Sequence, residues 1–296
     1  MKRSNTLIWL SILVALLAGV YATVGLFSQG GDGPFTFTTL HGRTTEMYGL
    51  GIYRNDSAFK APILRGTDAV TLFVCVPALL IAVFLYRRGS LRGGLFLTSM
   101  LAYFLYNSAS LGFGAAYNEL LLVYIASFSS SLFAFILACT SIDLDMLAER
   151  TSSKFPRRGV AIFLFFAGLS LVVWILDILG ALVGGTFPIN LGPYTTEATY
   201  VIDLGVILPT AYLTGILVLR RQPLGTLLAS ILITVNVSIG LVVASQSLMQ
   251  ALDGIILSPA EYAAYVAPFV TLSIVATWII VLIFRNISDL EPGHSI

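Results

Sequence analysis

Seven polar side chains sit inside or at the rim of long apolar runs: Arg65, Tyr103, Tyr106, Asn107, Asp177, Asp203 and Gln246. A carboxylate in hydrocarbon needs a proton, water, a cation or donor groups to offset its charge, so Asp177 and Asp203 invite a functional reading. Phenol and amide groups at three- and four-residue spacing, as in Tyr103, Tyr106 and Asn107, share one helical stripe and suit the orientation of a small polar ligand. Together the seven read as the lining of a polar cavity, with Arg65 the cation at its rim. Structural readings stand beside this one. The two tyrosines pack and hydrogen-bond between helices. Asp68 and Glu119 read as acids at helix starts, where the dipole favours them. Asn236 reads as interhelical glue, and Ser127, Ser130, Ser131, Ala134 and Ala138 as a close-packing face.

Catalytic chemistry finds less support. The chain has no Ser/His/Asp set, HExxH, P-loop or GxSxG. His41 and His294 fall outside the apolar runs, which leaves no intramembrane haem ligand and no metal centre. Cys75 and Cys139 lie in apolar stretches without CxxC spacing and read as small buried hydrophobes. No cofactor is expected.

The elements that must position these residues are membrane helices. Of 296 residues, 57% are hydrophobic and only 10% charged, against about 25% charged in a soluble domain. A net charge of +1 offers no field for nucleic acid. Eight stretches of about 20 apolar residues occur near 7–27, 68–86, 94–114, 119–141, 159–184, 199–219, 224–249 and 261–284, each long enough to cross a bilayer. The expected fold is therefore an all-α polytopic membrane protein. Residues 1–27 form the first span, 28–66 an external loop, and 68–141 spans two to four. Residues 142–158 form a cytoplasmic loop, 159–284 spans five to eight, and 285–296 a cytoplasmic tail.

Orientation follows from Lys and Arg. Twelve of the sixteen fall on one side of these spans, and Arg43, Arg54, Lys60 and Arg65 cluster in the first loop. The positive-inside rule then places both termini in the cytoplasm of a cell membrane. A signal-peptide reading of residues 1–27 competes, but the apolar run is longer than a typical h-region. Cleavage would leave seven helices, yet Lys2, Lys60 and Lys154 all lie outside the spans, so no lysine is placed to carry retinal.

Two further patterns stand out. Spans two and three and spans six and seven share a mid-helix proline (Pro77, Pro209), an Arg-Arg pair (Arg87–Arg88, Arg220–Arg221) and a turn, at an offset of about 132 (209 − 77 = 132 for the prolines). SIDL at 141–144 and ISDL at 287–290 end spans four and eight. Two four-helix halves in tandem are expected, and because four is even they are parallel, related by an axis along the membrane normal. In the external loop, alternation around His41–Gly42 predicts a β-hairpin with strands near 35–40 and 43–48. Its aromatic residues mark it as a cap over the bundle.

The stretch YGLGIYRNDSAFKAPILRGTDAVTLF, with RRGSLRG, YFLYN, GAAYNELLLVY, DLGVILP and RRQPLG, resembles a family of uncharacterised eight-helix membrane proteins of prokaryotes. The resemblance implies the architecture and a bacterial-type cytoplasmic membrane, and transfers no residue role. Three functions fit these residues: small-ligand binding or transport through an outward-facing cavity, partner binding by a sensor or assembly factor through the cap, and an intramembrane enzyme using Asp177 or Asp203. Besides the lipid bilayer, the partners expected are a small-molecule ligand or a protein at the external loop.

Overall fold

The computed structural model describes residues 4–188 and 191–289. The chain is predominantly helical. Its long helices are α1 (Asn5–Phe27), α2 (Lys60–Arg87), α3 (Leu91–Gly114), α4 (Leu121–Ser141), α6 (Arg157–Val183), α7 (Ala198–Leu219), α8 (Pro223–Leu252) and α9 (Pro259–Arg285), with a short α5 (Leu144–Arg150) between α4 and α6. Seven are long and apolar enough to cross a membrane, as a multi-pass membrane protein requires. The exception is α3, whose serines, tyrosines and asparagine lower its hydropathy. It lies at the centre, with 16 of its 24 residues buried, so its polar groups face protein rather than lipid.

The second helix begins earlier than its apolar run suggests. α2 starts at Lys60, and its first turns, KAPILRGTD, lie under the cap. Asp68 is therefore in the helix interior, which overturns its reading as a residue at a helix start. The fifth helix is interrupted at Leu171, where the backbone turns between Ser170 and Val172.

The hairpin forms. β1 (Phe35–Thr38) pairs antiparallel with β2 (Thr44–Met47), Phe35 opposite Met47 and Thr38 opposite Thr44. Gly42 turns the chain at φ +73°, a conformation glycine adopts without strain.

Three helices carry a π-bulge, each ending two residues before a proline: Thr71–Cys75 before Pro77, Asp203–Ile207 before Pro209, and Tyr262–Val266 before Pro268. Proline lacks an N–H and its ring clashes with the carbonyl four residues back. Widening the preceding turn to i→i−5, as in Val76 N–H to Thr71 O and Leu208 N–H to Asp203 O, accommodates it.

The helical corners also correspond at an offset of 132. Gly89 (φ +81°) ends the α2–α3 corner and Arg221 (φ +60°) the α7–α8 corner. Gly89 N–H bonds Tyr86 O, and Arg221 N–H bonds Val218 O, each at the C-terminal turn of its helix. Gly93 lets α3 approach Leu85–Tyr86, and Gly225 lets α8 approach Leu217–Val218; a Cβ on either would lie 2.6 Å from its nearest neighbour. Packing follows the same pattern. α2 lies on α8, the start of α7 lies on α3, and α3 meets α8 between them.

The outermost pair breaks the pattern. α1 lies along α4, while α6 and α9 meet over a small part of their length. Small residues recur among the buried positions of both helices: Ser11, Ala15, Ala18 and Ala22 on α1, and Ser127, Ala134 and Ala138 on α4. Small residues let helix backbones close up in a membrane. At the second contact an apolar groove remains, lined by residues that include the exposed Ile162, Phe166 and Trp278.

Candidate functional site

The polar candidates gather near the end of the bundle that carries the cap, and α3 distributes them to two sides. Tyr103 and Asn107, one turn apart, face α2 and α1. The Tyr103 hydroxyl lies 2.9 Å from Thr71 Oγ1, on the first residue of the α2 π-bulge. Asn107 Nδ2 donates to Thr71 Oγ1 at 3.3 Å and to the Tyr21 hydroxyl of α1 at 2.9 Å. Tyr106 points instead to α7, donating to Asp203 Oδ1 at 3.0 Å. Asp203 is the first residue of the α7 π-bulge. α3 thus hands one tyrosine to the opening residue of the α2 bulge and one to that of the α7 bulge.

Asp203 is buried, and its second oxygen accepts from Trp174 Nε1 at 3.0 Å. Both carboxylate oxygens therefore hold an aromatic donor. Asp177 accepts from the Tyr200 hydroxyl, and Trp174 stacks on Tyr200 with ring centroids 5.0 Å apart. Asp177 and Asp203 thus belong to one aromatic-rich layer joining α6 to α7. Gln246 of α8 donates to Thr67 Oγ1 of α2 at 2.8 Å, where Gly66 allows the two backbones to touch. Arg65 donates to the Tyr48 hydroxyl at 2.8 Å and pairs with Asp253 at 3.1 Å. The seven candidates thus divide among four neighbouring contacts rather than facing one space.

Asp68 is the residue that sequence reasoning assigned elsewhere. Its side chain is fully buried between α1, α2 and the cap, and Oδ2 accepts from the Tyr53 hydroxyl at 2.6 Å. Oδ1 is buried and has no partner. Gly25 makes the room, since a Cβ there would sit 1.8 Å from Asp68 Oδ2. Tyr124 completes the wall, its ring meeting that of Tyr21 edge-on at 5.9 Å. The available signal was the polar character of residues 60–68, too polar for lipid and too regular for a loop.

The cap is bound to both sides of the bundle. Arg54 pairs with Glu119, Lys60 with Glu197 at 3.0 Å, and Arg65 with Asp253. Lys60 also lies 4.1 Å over the Tyr194 ring, and His41 stacks on Phe187 at 3.7 Å. Asp56 anchors the centre: Oδ1 accepts from the Ala116 N–H at 2.9 Å and the Tyr194 hydroxyl at 2.7 Å, while Oδ2 has no partner. Burial pushes the Asp56 carboxyl above its ordinary range, and the two hydrogen bonds and Lys60 only partly oppose it. Burial likewise raises the Tyr194 hydroxyl. The Arg54 guanidinium holds the exposed Glu119 carboxyl below the usual range.

A cavity of about 540 Å³ lies within the cap, lined by the glycine-rich turn 28–33, Phe35, Gly49, Gly51, Arg54, Asn55 and Glu119. None of the seven candidates borders it. Among the described residues no cluster of three or more His, Cys, Asp or Glu could hold a metal ion.

No family model, curated protein or solved structure matches this chain, so its functional assignment rests on its own residues and their geometry.

Proposed function

We propose that the chain is an eight-span protein of the cytoplasmic membrane, both termini inside, which binds a small polar ligand in its outer half beneath the cap. Asp68 carries this reading: a fully buried carboxylate with one unpartnered oxygen, its other oxygen held by a tyrosine of the cap. A lone buried carboxylate costs several kcal/mol, and a ligand that donates to Oδ1 or neutralises it recovers that cost. Tyr103 and Asn107, with Thr71 and Tyr21, supply hydroxyl and amide groups nearby. Tyr106 of α3 joins Asp203 and Asp177 in a second polar layer, where α3 meets α7 and α6. Arg65 and Gln246 hold the rim, where cap, α2 and α8 meet.

The eight spans include α3. At 24 residues it is about 36 Å long, enough to cross the hydrocarbon. Its first turn is tied to Asp289 through Arg92 N–H, and Gly114 at its other end lies against Ala198 and Lys60. Parallel duplication is supported by the paired π-bulges, corners and packing at offset 132. The Lys and Arg residues at the end opposite the cap, ten among the described residues, support the orientation.

Native mass spectrometry of the purified protein tests ligand binding. Wild type is expected to carry a small molecule that Asp68→Asn loses while its thermal midpoint stays within a few degrees. A bare mass for wild type, or equal occupancy in both proteins, refutes the reading.

A second reading, partner binding at the cap, is favoured by the exposed Phe35, Phe37 and Leu40 on and beside β1. Phe35 and Phe37 share one face of a strand whose outer edge is unpaired, a surface suited to an added strand or an apolar segment. Phe37→Ser and Leu40→Ser should then abolish crosslinking to that partner without altering ligand occupancy.

A further inference from the structure

The groove between α6 and α9 occupies about 370 Å³ and is lined by apolar side chains, among them Ile162, Phe163, Phe166, Leu272, Trp278 and Leu282. It lies along the first turns of α6 and the last turns of α9. At that end the chain is pinned: Ser152 N–H bonds Asn286 O at 2.8 Å, and Ser288 N–H bonds Arg150 O at 2.9 Å. The two helices are joined at their base and separate above it.

Two cations stand at that base. Arg158 is one helical turn before Ile162 and two before Phe166, hence on the groove face of α6. Arg285 follows Leu282 by three residues and Trp278 by seven, on the groove face of α9. Both are exposed, and no carboxylate pairs with either among the described residues. An apolar slot in a membrane-facing surface with unpaired arginines at its polar end complements a lipid tail below an anionic headgroup.

We propose that this groove is a binding site for one anionic glycerophospholipid, an acyl chain lying between α6 and α9 and the phosphate on Arg158 and Arg285. α1 and α4, by contrast, pack along their length, with small residues among their buried positions. The groove site is independent of the ligand site beneath the cap. It depends on the bilayer but not on which face is cytoplasmic.

Gly159 permits a variant that fills the groove: it borders the groove, and a Cβ there meets no atom within 4 Å. Wild type, Gly159→Leu and the double variant Arg158→Gln/Arg285→Gln are reconstituted in phosphatidylcholine nanodiscs containing a minor fraction of phosphatidylglycerol. They are then released into detergent and examined by native mass spectrometry, with thermal midpoints confirming the fold. Wild type should retain one phosphatidylglycerol per chain, and each variant should retain at least tenfold less. Retention unchanged by Gly159→Leu, or no preference for phosphatidylglycerol over phosphatidylcholine, overturns the proposal. So does a wild-type dimer that Gly159→Leu converts to monomer, which assigns the groove to a second copy of the chain.

Discussion

The seam between α1 and α4 and the groove between α6 and α9 contrast: the first pair packs along its length and the second leaves an apolar slot. Hydropathy does not distinguish them, since all four helices are apolar along their length. Side-chain size at the contact does. Alanine and serine recur at four- and three-residue steps among the buried positions of α1 and α4, while isoleucine, phenylalanine and tryptophan line the groove. Without a hydrophobic force between helices in lipid, close packing decides whether two of them associate. α1 and α4 thereby pack along their length, while α6 and α9 keep an apolar groove between them.

Bulk added to each contact gives the sharpest test. Ala18 is fully buried on α1, so Ala18→Leu overpacks the bundle there and should cost about 1–3 kcal/mol. Gly159→Leu meets open space and should leave the thermal midpoint within a degree or two. Equal losses would mean that the groove is as tightly filled as the seam.

The two buried acids make the second comparison. Asp203 has a donor on each oxygen, so Asp203→Asn turns one donor–acceptor pair into two opposed donors, at about 1–3 kcal/mol. Asp68→Asn keeps the oxygen that Tyr53 needs and removes an uncompensated charge, so unfolding should change by less than about 1 kcal/mol. Denaturation midpoints of the two variants decide this, and a larger loss for Asp68→Asn would show that its carboxylate is fully satisfied.

The third effect is smaller and depends on pH. Because the folded Asp56 carboxyl is raised above its unfolded value, the folded state holds the proton more tightly. Stability therefore falls as pH rises from the ordinary carboxylate range, about 4, through the raised value, by at most about 1.4 kcal/mol per pH unit. Asp56→Asn should abolish this slope, so its thermal midpoint should gain on wild type between pH 4 and pH 7. A constant difference across that range would place Asp56 in a solvated setting.

Much of the fold is legible in the residues. FTFT and TTEM alternate around a glycine and form the hairpin. Pro77 and Pro209 each mark a break in their helix, where the structure has a π-bulge, because proline acts locally. What stayed hidden depends on distant partners. Nothing near Asp203 in the chain points to Tyr106, 97 residues away. Asp68 looked like a helix start because the apolar run begins there, whereas the helix begins eight residues earlier, in turns that are polar because the cap covers them. The π-bulges also escaped notice, since a proline signals a break but not the widened turn that absorbs it. The open groove could not be seen at all, because it lies in the mismatch of two helices 100 residues apart.

Cysteine accessibility tests most directly whether the two halves insert the same way round, with the cap outside. In a background with Cys75 and Cys139 replaced by alanine, single cysteines are placed at Leu40 in the cap, Ser153 before α6, Gln222 between α7 and α8, and Ile256 between α8 and α9. Leu40→Cys and Ile256→Cys should react with a membrane-impermeant maleimide on intact cells. Ser153→Cys and Gln222→Cys should react only after the membrane is opened. Labelling of Ser153→Cys from outside, or of Leu40→Cys and Ile256→Cys from opposite sides, would contradict eight spans in two parallel halves.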